Sequence, residues 1–228
     1  ILKWIILATF VGAIVGVSTT IFLKLLHLSI DTTNNYSLTF LFLPFAFFTS
    51  VIITKYLAPD AEGHGTEKVI EAIHKNHGKM NIMVVPVKLV STIISIASGG
   101  SAGKEGPCAQ IGAGLASTFS DIFRFNNDDR KKLVICGISA GFSAVFGTPI
   151  AGAIFGVEVL VIGNILYDVL LPSFVSGIVA FQVSVLLGIE HFYHPIEIAS
   201  SFDRVLFLNV LLSGVFFGLC AFLLIESL

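Results

Sequence analysis

Gly99-Gly-Ser-Ala-Gly-Lys-Glu-Gly-Pro-Cys-Ala-Gln-Ile-Gly-Ala-Gly114 sets one carboxylate, Glu105, among glycines and a proline where an apolar helix begins. A charge at membrane depth is costly, so by default it marks a functional position. A helix N-terminus suits an anion, because its first N–H groups have no intrahelical carbonyl to bond. Together these two facts point to a path for anions through a bilayer.

The sequence around this stretch is mostly membrane-like. It is 55% hydrophobic and 12% charged, against about 25% charged in an ordinary soluble domain. Mean hydropathy is +0.92. A soluble fold of this length could not hide so much apolar surface, which predicts a multi-spanning membrane protein in contact with lipid bilayer. The net charge of −2 gives no reason to expect a nucleic-acid partner. Cys108, Cys136 and Cys220 are scattered through apolar or glycine-rich sequence. They read as small packing residues, with neither a disulfide framework nor metal-ligand spacing. No cleaved leader is expected, since the opening apolar segment runs past a signal-peptide core and has no clear cleavage site.

Outward from the glycine-rich stretch, the chain divides into apolar segments and punctuation. Residues 1–28 form a long apolar segment whose Gly12 and Gly16 have the spacing that lets helices approach closely. A polar loop at 31–37 precedes a second span at 38–57. A short polar helix is expected at 66–77, then an apolar helix at 82–98 carrying Lys88, then the Glu105 helix to Phe123. A charged loop at 124–132 leads to a short apolar segment, 133–140, which Gly141 to Pro149 should interrupt before a helix resumes at 150–165. Spans near 167–187 and 205–225 close the sequence. Several of these helices fall short of the roughly 20 residues that a crossing needs. Short, interrupted helices belong at membrane depth only where protein buries them or they line a cavity. Transporters use them to aim helix ends at a central site. The expected fold is therefore all-α, a multi-spanning bundle of tilted and broken helices.

Gly103-Lys-Glu-Gly-Pro107 resembles the G-[RK]-E-G-P signature of the CLC family of chloride channels and chloride/proton antiporters. Pro86-Val-Lys88 resembles that family's preceding helix, and Gly141 to Glu158 its G-x-x-A-x-F-x-x-P-[IL]-[AG]-G-x-x-F-x-x-E block. Pro59-Asp-Ala-Glu-Gly-His-Gly65 stands where the family has its G-S-G-I-P loop. The resemblance implies two inverted halves with anion sites at helix ends. It makes residues 1–187 the first half of one incomplete transmembrane domain and 188–228 the start of the second. The family's second-half phenylalanine loop and late tyrosine are missing. A homodimer is implied, with part of its interface near residues 150–187, as is placement in the cell membrane.

Each candidate residue has a plain reading beside the functional one. Glu105 is expected to be the gate and proton acceptor, competing with an anion for the same helix end; the plainer role is a helix cap. Gly63, His64, Gly65, Thr66, Lys104, Glu105 and Gly106 form the expected anion-binding set. Lys88 and Lys104 are expected to tune the local potential, or else to be paired structurally. His64 departs from the family's serine, and an imidazole N–H can donate to an anion; its plainer role is a local cap. Glu158 is read as a buried carboxylate making structural hydrogen bonds. Val159 occupies the position after it, where the resemblance implies that many exchangers carry a second, inner glutamate. The turn at Phe146 to Pro149 is assigned to structure. The pairs His74/His77 and His191/His194 have no further ligand pattern, so no metal or other cofactor is expected.

No catalytic constellation is recognisable, which argues against an enzyme. The first expectation is a voltage- or proton-gated chloride channel or transporter, modestly favoured as a channel by Val159. The alternative is a proton-coupled chloride or fluoride antiporter, since some fluoride-exporting members of the family also lack the inner glutamate. A non-conducting scaffold half and an intramembrane enzyme are the readings from other classes.

Overall fold

A computed structural model describes residues 1–36, 38–158, 167–191 and 204–227. The chain separates into two units, Ile1–His191 and Phe192–Leu228. The first holds helices α1 (Leu2–Asn34), α2 (Leu43–Leu57), α3 (Gly65–Lys75), α4 (Val84–Ala97), α5 (Glu105–Ile122), α6 (Asn127–Phe146), α7 (Pro149–Glu158) and α8 (Tyr167–Leu186), with short 3-10 turns at Thr39–Phe42 and Pro59–Ala61. Among the described residues, the second unit consists of α9 (Arg204–Ser227).

The all-α fold expected from the sequence is the one observed. Among the described residues, four helical stretches are long and apolar enough to cross a bilayer: Leu2–Asn34, Thr39–Leu57, Asp168–Leu186 and Arg204–Ser227. The surfaces of α2 and α9 are almost wholly exposed and apolar, with Ala46 the one buried residue on α2 and none on α9. Lipid covers such surfaces where water would not. The chain is an integral membrane protein.

Inside the first unit, α6 is the hub, packing on α1, α5, α7 and α8. It is buried nearly all round from Leu133 to Val145, as expected of a core helix rather than a surface one. Lipid tails are as apolar as leucine, so helices in a membrane associate through close packing of small residues. Gly12 and Gly16 of α1 work this way against α8. A Cβ on Gly12 would lie 2.5 Å from the Ser176 carbonyl oxygen, and one on Gly16 would lie 2.9 Å from the Ala180 Cα. Gly112 of α5 faces Gly137 of α6, where a Cβ on Gly137 would stand 2.7 Å from the Ala116 Cβ.

One end of the bundle is tied by charge. Lys3 bonds Asp129 at 2.9 Å, Arg130 bonds Asp121 at 2.7 Å, and Lys132 pairs with Asp168. Lys3 and Lys132 both sit against the Trp4 ring, at 5.4 and 5.3 Å from its centroid. Asn126 caps α6, its side chain accepting from the Asp129 N–H at 2.8 Å.

Several boundaries differ from the sequence reading, and α6 already begins at Asn127, inside the charged loop expected at 124–132. Helix α1 runs on to Asn34, through the expected loop. Helix α6 does not stop at Ala140 but continues to Phe146, and the break is confined to Gly147 and Thr148. Gly141 is no breaker: it is a contact glycine, and a Cβ there would lie 3.1 Å from the Cys108 carbonyl carbon on α5. The turn itself falls on Gly147, at φ +69, a left-handed cap that glycine adopts without strain. Pro149 then opens α7, where its missing N–H costs nothing.

Candidate functional site

Helices α3 and α5 begin at the same place. Gly65 is the first residue of α3 and Glu105 the first of α5, with Gly106 following. Gly65 and Gly106 are both buried and lie backbone against backbone. A Cβ on Gly106 would be 3.3 Å from the Gly65 nitrogen, and one on Gly65 would be 2.6 Å from the Gly106 carbonyl carbon. Only glycines allow this approach.

The first intrahelical bond of α3 runs from the Lys68 N–H to the His64 carbonyl at 3.3 Å. That of α5 runs from the Cys108 N–H to the Lys104 carbonyl at 3.1 Å. Neither helix start has a side-chain cap. The N–H groups of Gly65, Thr66, Glu67, Glu105 and Gly106 therefore keep their donors, and Pro107 has none to give. Each helix end carries the equivalent of about half a positive charge. Two such ends side by side favour an anion.

Glu105 is half-buried. Its carboxyl group turns back over Gly103, with the carboxyl carbon 3.2 Å from where a Gly103 Cβ would stand. Its side chain makes no capping hydrogen bond among the described residues. The carboxylate lies at the positive end of its own helix, where an anion would also be favoured.

Lys88 is 8% exposed and donates to the carbonyls of Ala61 at 3.0 Å and Gly63 at 2.8 Å. This resolves how a lone lysine survives in an apolar helix: backbone oxygens satisfy it. Gly63 has φ +71, so the loop turns there in a left-handed conformation before α3 starts. His64 is exposed and makes no cap bond. Its Nδ1 lies 3.8 Å from the position of a Gly106 Cβ, which places the ring beside both helix starts. Thr66 and Lys104 are half-buried, and Lys104 has no ion-pair partner among the described residues.

The structure thus gathers Gly63, His64, Gly65, Thr66, Lys104, Glu105 and Gly106 in one region, with Lys88 behind it. Sequence reasoning missed Gln110. This side chain is fully buried, and its Nε2 donates to the Asp60 carbonyl at 2.8 Å. Its Oε1 is buried with no partner among the described residues, an arrangement that costs about 1–3 kcal/mol. An amide inside the otherwise apolar, small-residue stretch Gly106–Ala116 was the available signal. Another tie holds the chain just beyond α3, where the Ser117 hydroxyl of α5 accepts from the Met80 N–H at 2.9 Å.

Other expectations fare differently. Glu158 is exposed, so its reading as a buried carboxylate is corrected. Apolar neighbours in sequence did not bury it, because the face of α7 that meets α6 is the one carrying Gly152 and Gly156. Val159 and His194 lie outside the described residues. His191 sits at the end of α6, its Nε2 2.9 Å from the Ala144 carbonyl oxygen. No group of histidine, cysteine or carboxylate side chains able to hold a metal occurs among the described residues.

Comparison with known proteins gives this geometry a context. The family model described as voltage gated chloride channel matches residues 45–228. A chloride/fluoride channel protein of Pseudomonas syringae pv. tomato is 35% identical over 98% of this chain and 49% of its own length. An H(+)/Cl(-) exchange transporter of Vibrio cholerae is 30% identical over 67% of this chain and 35% of its own length. The crystal structure of a CLC-type fluoride/proton antiporter superposes with a TM-score of 0.86 at 28% identity, covering 95% of this chain and 55% of that one. The chain spans about half the length of the Pseudomonas protein and of the antiporter.

Proposed function

The chain belongs to the voltage-gated chloride channel family, and from that premise we propose that it forms the first half of a proton-coupled antiporter for chloride or fluoride. The observation that carries the proposal is the meeting of the α3 and α5 N-termini at Gly65 and Gly106, with the Glu105 carboxylate beside them.

In this reading an anion sits on the N–H groups of Gly65, Thr66 and Gly106. The ionised Glu105 carboxylate competes for the same positive potential. Protonation removes that competition, because a neutral carboxyl is held less strongly by the helix end. Anion entry and proton uptake are thereby linked at one residue. Lys88 and Lys104 raise the local potential, and His64 adds an N–H donor at the rim.

The antiporter takes precedence over the gated channel favoured by Val159. The matched structure is that of a fluoride/proton antiporter, and the Vibrio relative is named an exchange transporter. The Pseudomonas relative is named a channel protein, so passive chloride or fluoride flow is the second reading. Gating by voltage is not part of the proposal. A homodimer in the cell membrane, and the division into a half at 1–187 and the start of another at 188–228, are proposed with it.

The test is efflux of chloride and of fluoride from liposomes holding the full-length protein, with pH recorded outside. The proposal expects anion flow accompanied by opposite proton flow. Anion flow without protons supports the channel, and no anion flow removes the transport reading.

A further inference from the structure

The loop before α3 presents a problem of sign. Peptide carbonyls are the negative ends of backbone dipoles, and an anion beside them is repelled. In a trans peptide the carbonyl and the following N–H point in opposite directions. A loop that offers N–H groups to an anion must therefore turn its carbonyls the other way and satisfy those that are removed from water.

Three carbonyls of the loop are satisfied by side chains, and the N–H groups that follow two of them, those of Ala61 and Glu62, are spent on the Ala58 and Pro59 carbonyls. Lys88 on α4 takes those of Ala61 and Gly63. Gln110 on α5 takes that of Asp60. Holding the Gly63 carbonyl toward Lys88 aims the His64 N–H away from α4. The orientation of the Gln110 amide is settled by chemistry, because a carbonyl only accepts and so Nε2 must face it.

Gln110 does more than fill space. Its Cβ lies 3.1 Å from where a Gly65 Cβ would stand, so the side chain passes the start of α3 before reaching Asp60. One residue of the Glu105 helix thus touches both ends of the segment 60–65. An apolar side chain of the same size would pack there without leaving an unpartnered oxygen buried.

We infer that Gln110 is a positioning residue, whose amide ties the Asp60 carbonyl while its stem backs Gly65, and which thereby locks the α3 N-terminus in register with Glu105. The inference rests on the proposed anion site at the α3 and α5 N-termini.

The experiment measures flux against anion concentration for the full-length protein in liposomes, comparing wild type, Gln110→Met and Gln110→His. The methionine keeps length and loses the donor; the histidine restores an N–H. Gln110→Met is expected to raise the half-saturating anion concentration about fivefold, the scale of one lost hydrogen bond, with the maximal rate little changed. Gln110→His should recover part of the loss. An unchanged half-saturating concentration, or a fall in maximal rate alone, overturns the inference while leaving the anion site standing. If the methionine variant does not fold, Gln110→Asn decides by the same readout, since its shorter amide cannot reach Asp60. Absence of flux in wild type removes the site reading and this inference together.

Discussion

Gly65 of α3 and Gly106 of α5 meet backbone to backbone, and neither position has room for a methyl group without movement. This contact joins two positive helix ends in one place. The substitution Gly65→Ala would force the helix starts apart, and overpacking of this kind costs about 1–3 kcal/mol. Melting temperature and anion flux should fall together. Gly106→Ala should be milder, because its nearest neighbour is 3.3 Å away. Full flux in Gly65→Ala would show that the contact does not matter for transport.

Lys88 should behave as a structural donor as well as a charge. Lys88→Met leaves the carbonyls of buried Ala61 and exposed Gly63 without this donor. Hydrogen bonds from a charged group contribute about 1.5–3 kcal/mol. Thermal unfolding should shift down by several degrees, and the half-saturating anion concentration should rise. A variant with wild-type melting and wild-type flux would contradict the assigned role.

His64 makes the opposite case. It is exposed and caps nothing, so His64→Ala should leave stability within about 0.5 kcal/mol of wild type. The ratio of fluoride to chloride flux should change, because a donor at the rim is lost. An unchanged ratio would assign His64 to the surface.

Asn126 separates stability from transport. Its cap on α6 lies at the charged end of the bundle. Asn126→Ala should cost about 1 kcal/mol and leave the anion concentration dependence unaltered. A change in that dependence would mean that the bundle end communicates with the site.

Much of the site could be seen in the sequence because its residues are punctuation. Glycines, a proline and one carboxylate at the start of an apolar helix leave little room for a purely packing role, and Glu105 is where that argument placed it. What escaped was set by three-dimensional packing. Gly141 has the same letter whether it ends a helix or lets one approach Cys108. Glu158 has apolar neighbours along the chain, yet burial is decided by which face of α7 meets α6. Gln110 reads as one polar residue in a core helix until the Asp60 carbonyl is seen opposite it.

The central claim is that Glu105 links anion and proton movement where α3 and α5 begin. The measurement that tests it most directly is proton movement driven by a chloride or fluoride gradient, in liposomes holding the full-length protein, for wild type and Glu105→Gln. The account predicts protons moving uphill in wild type and no proton movement in Glu105→Gln, whose side chain cannot ionise. Proton coupling that persists in Glu105→Gln, or anion flow with no proton movement in wild type, would contradict it.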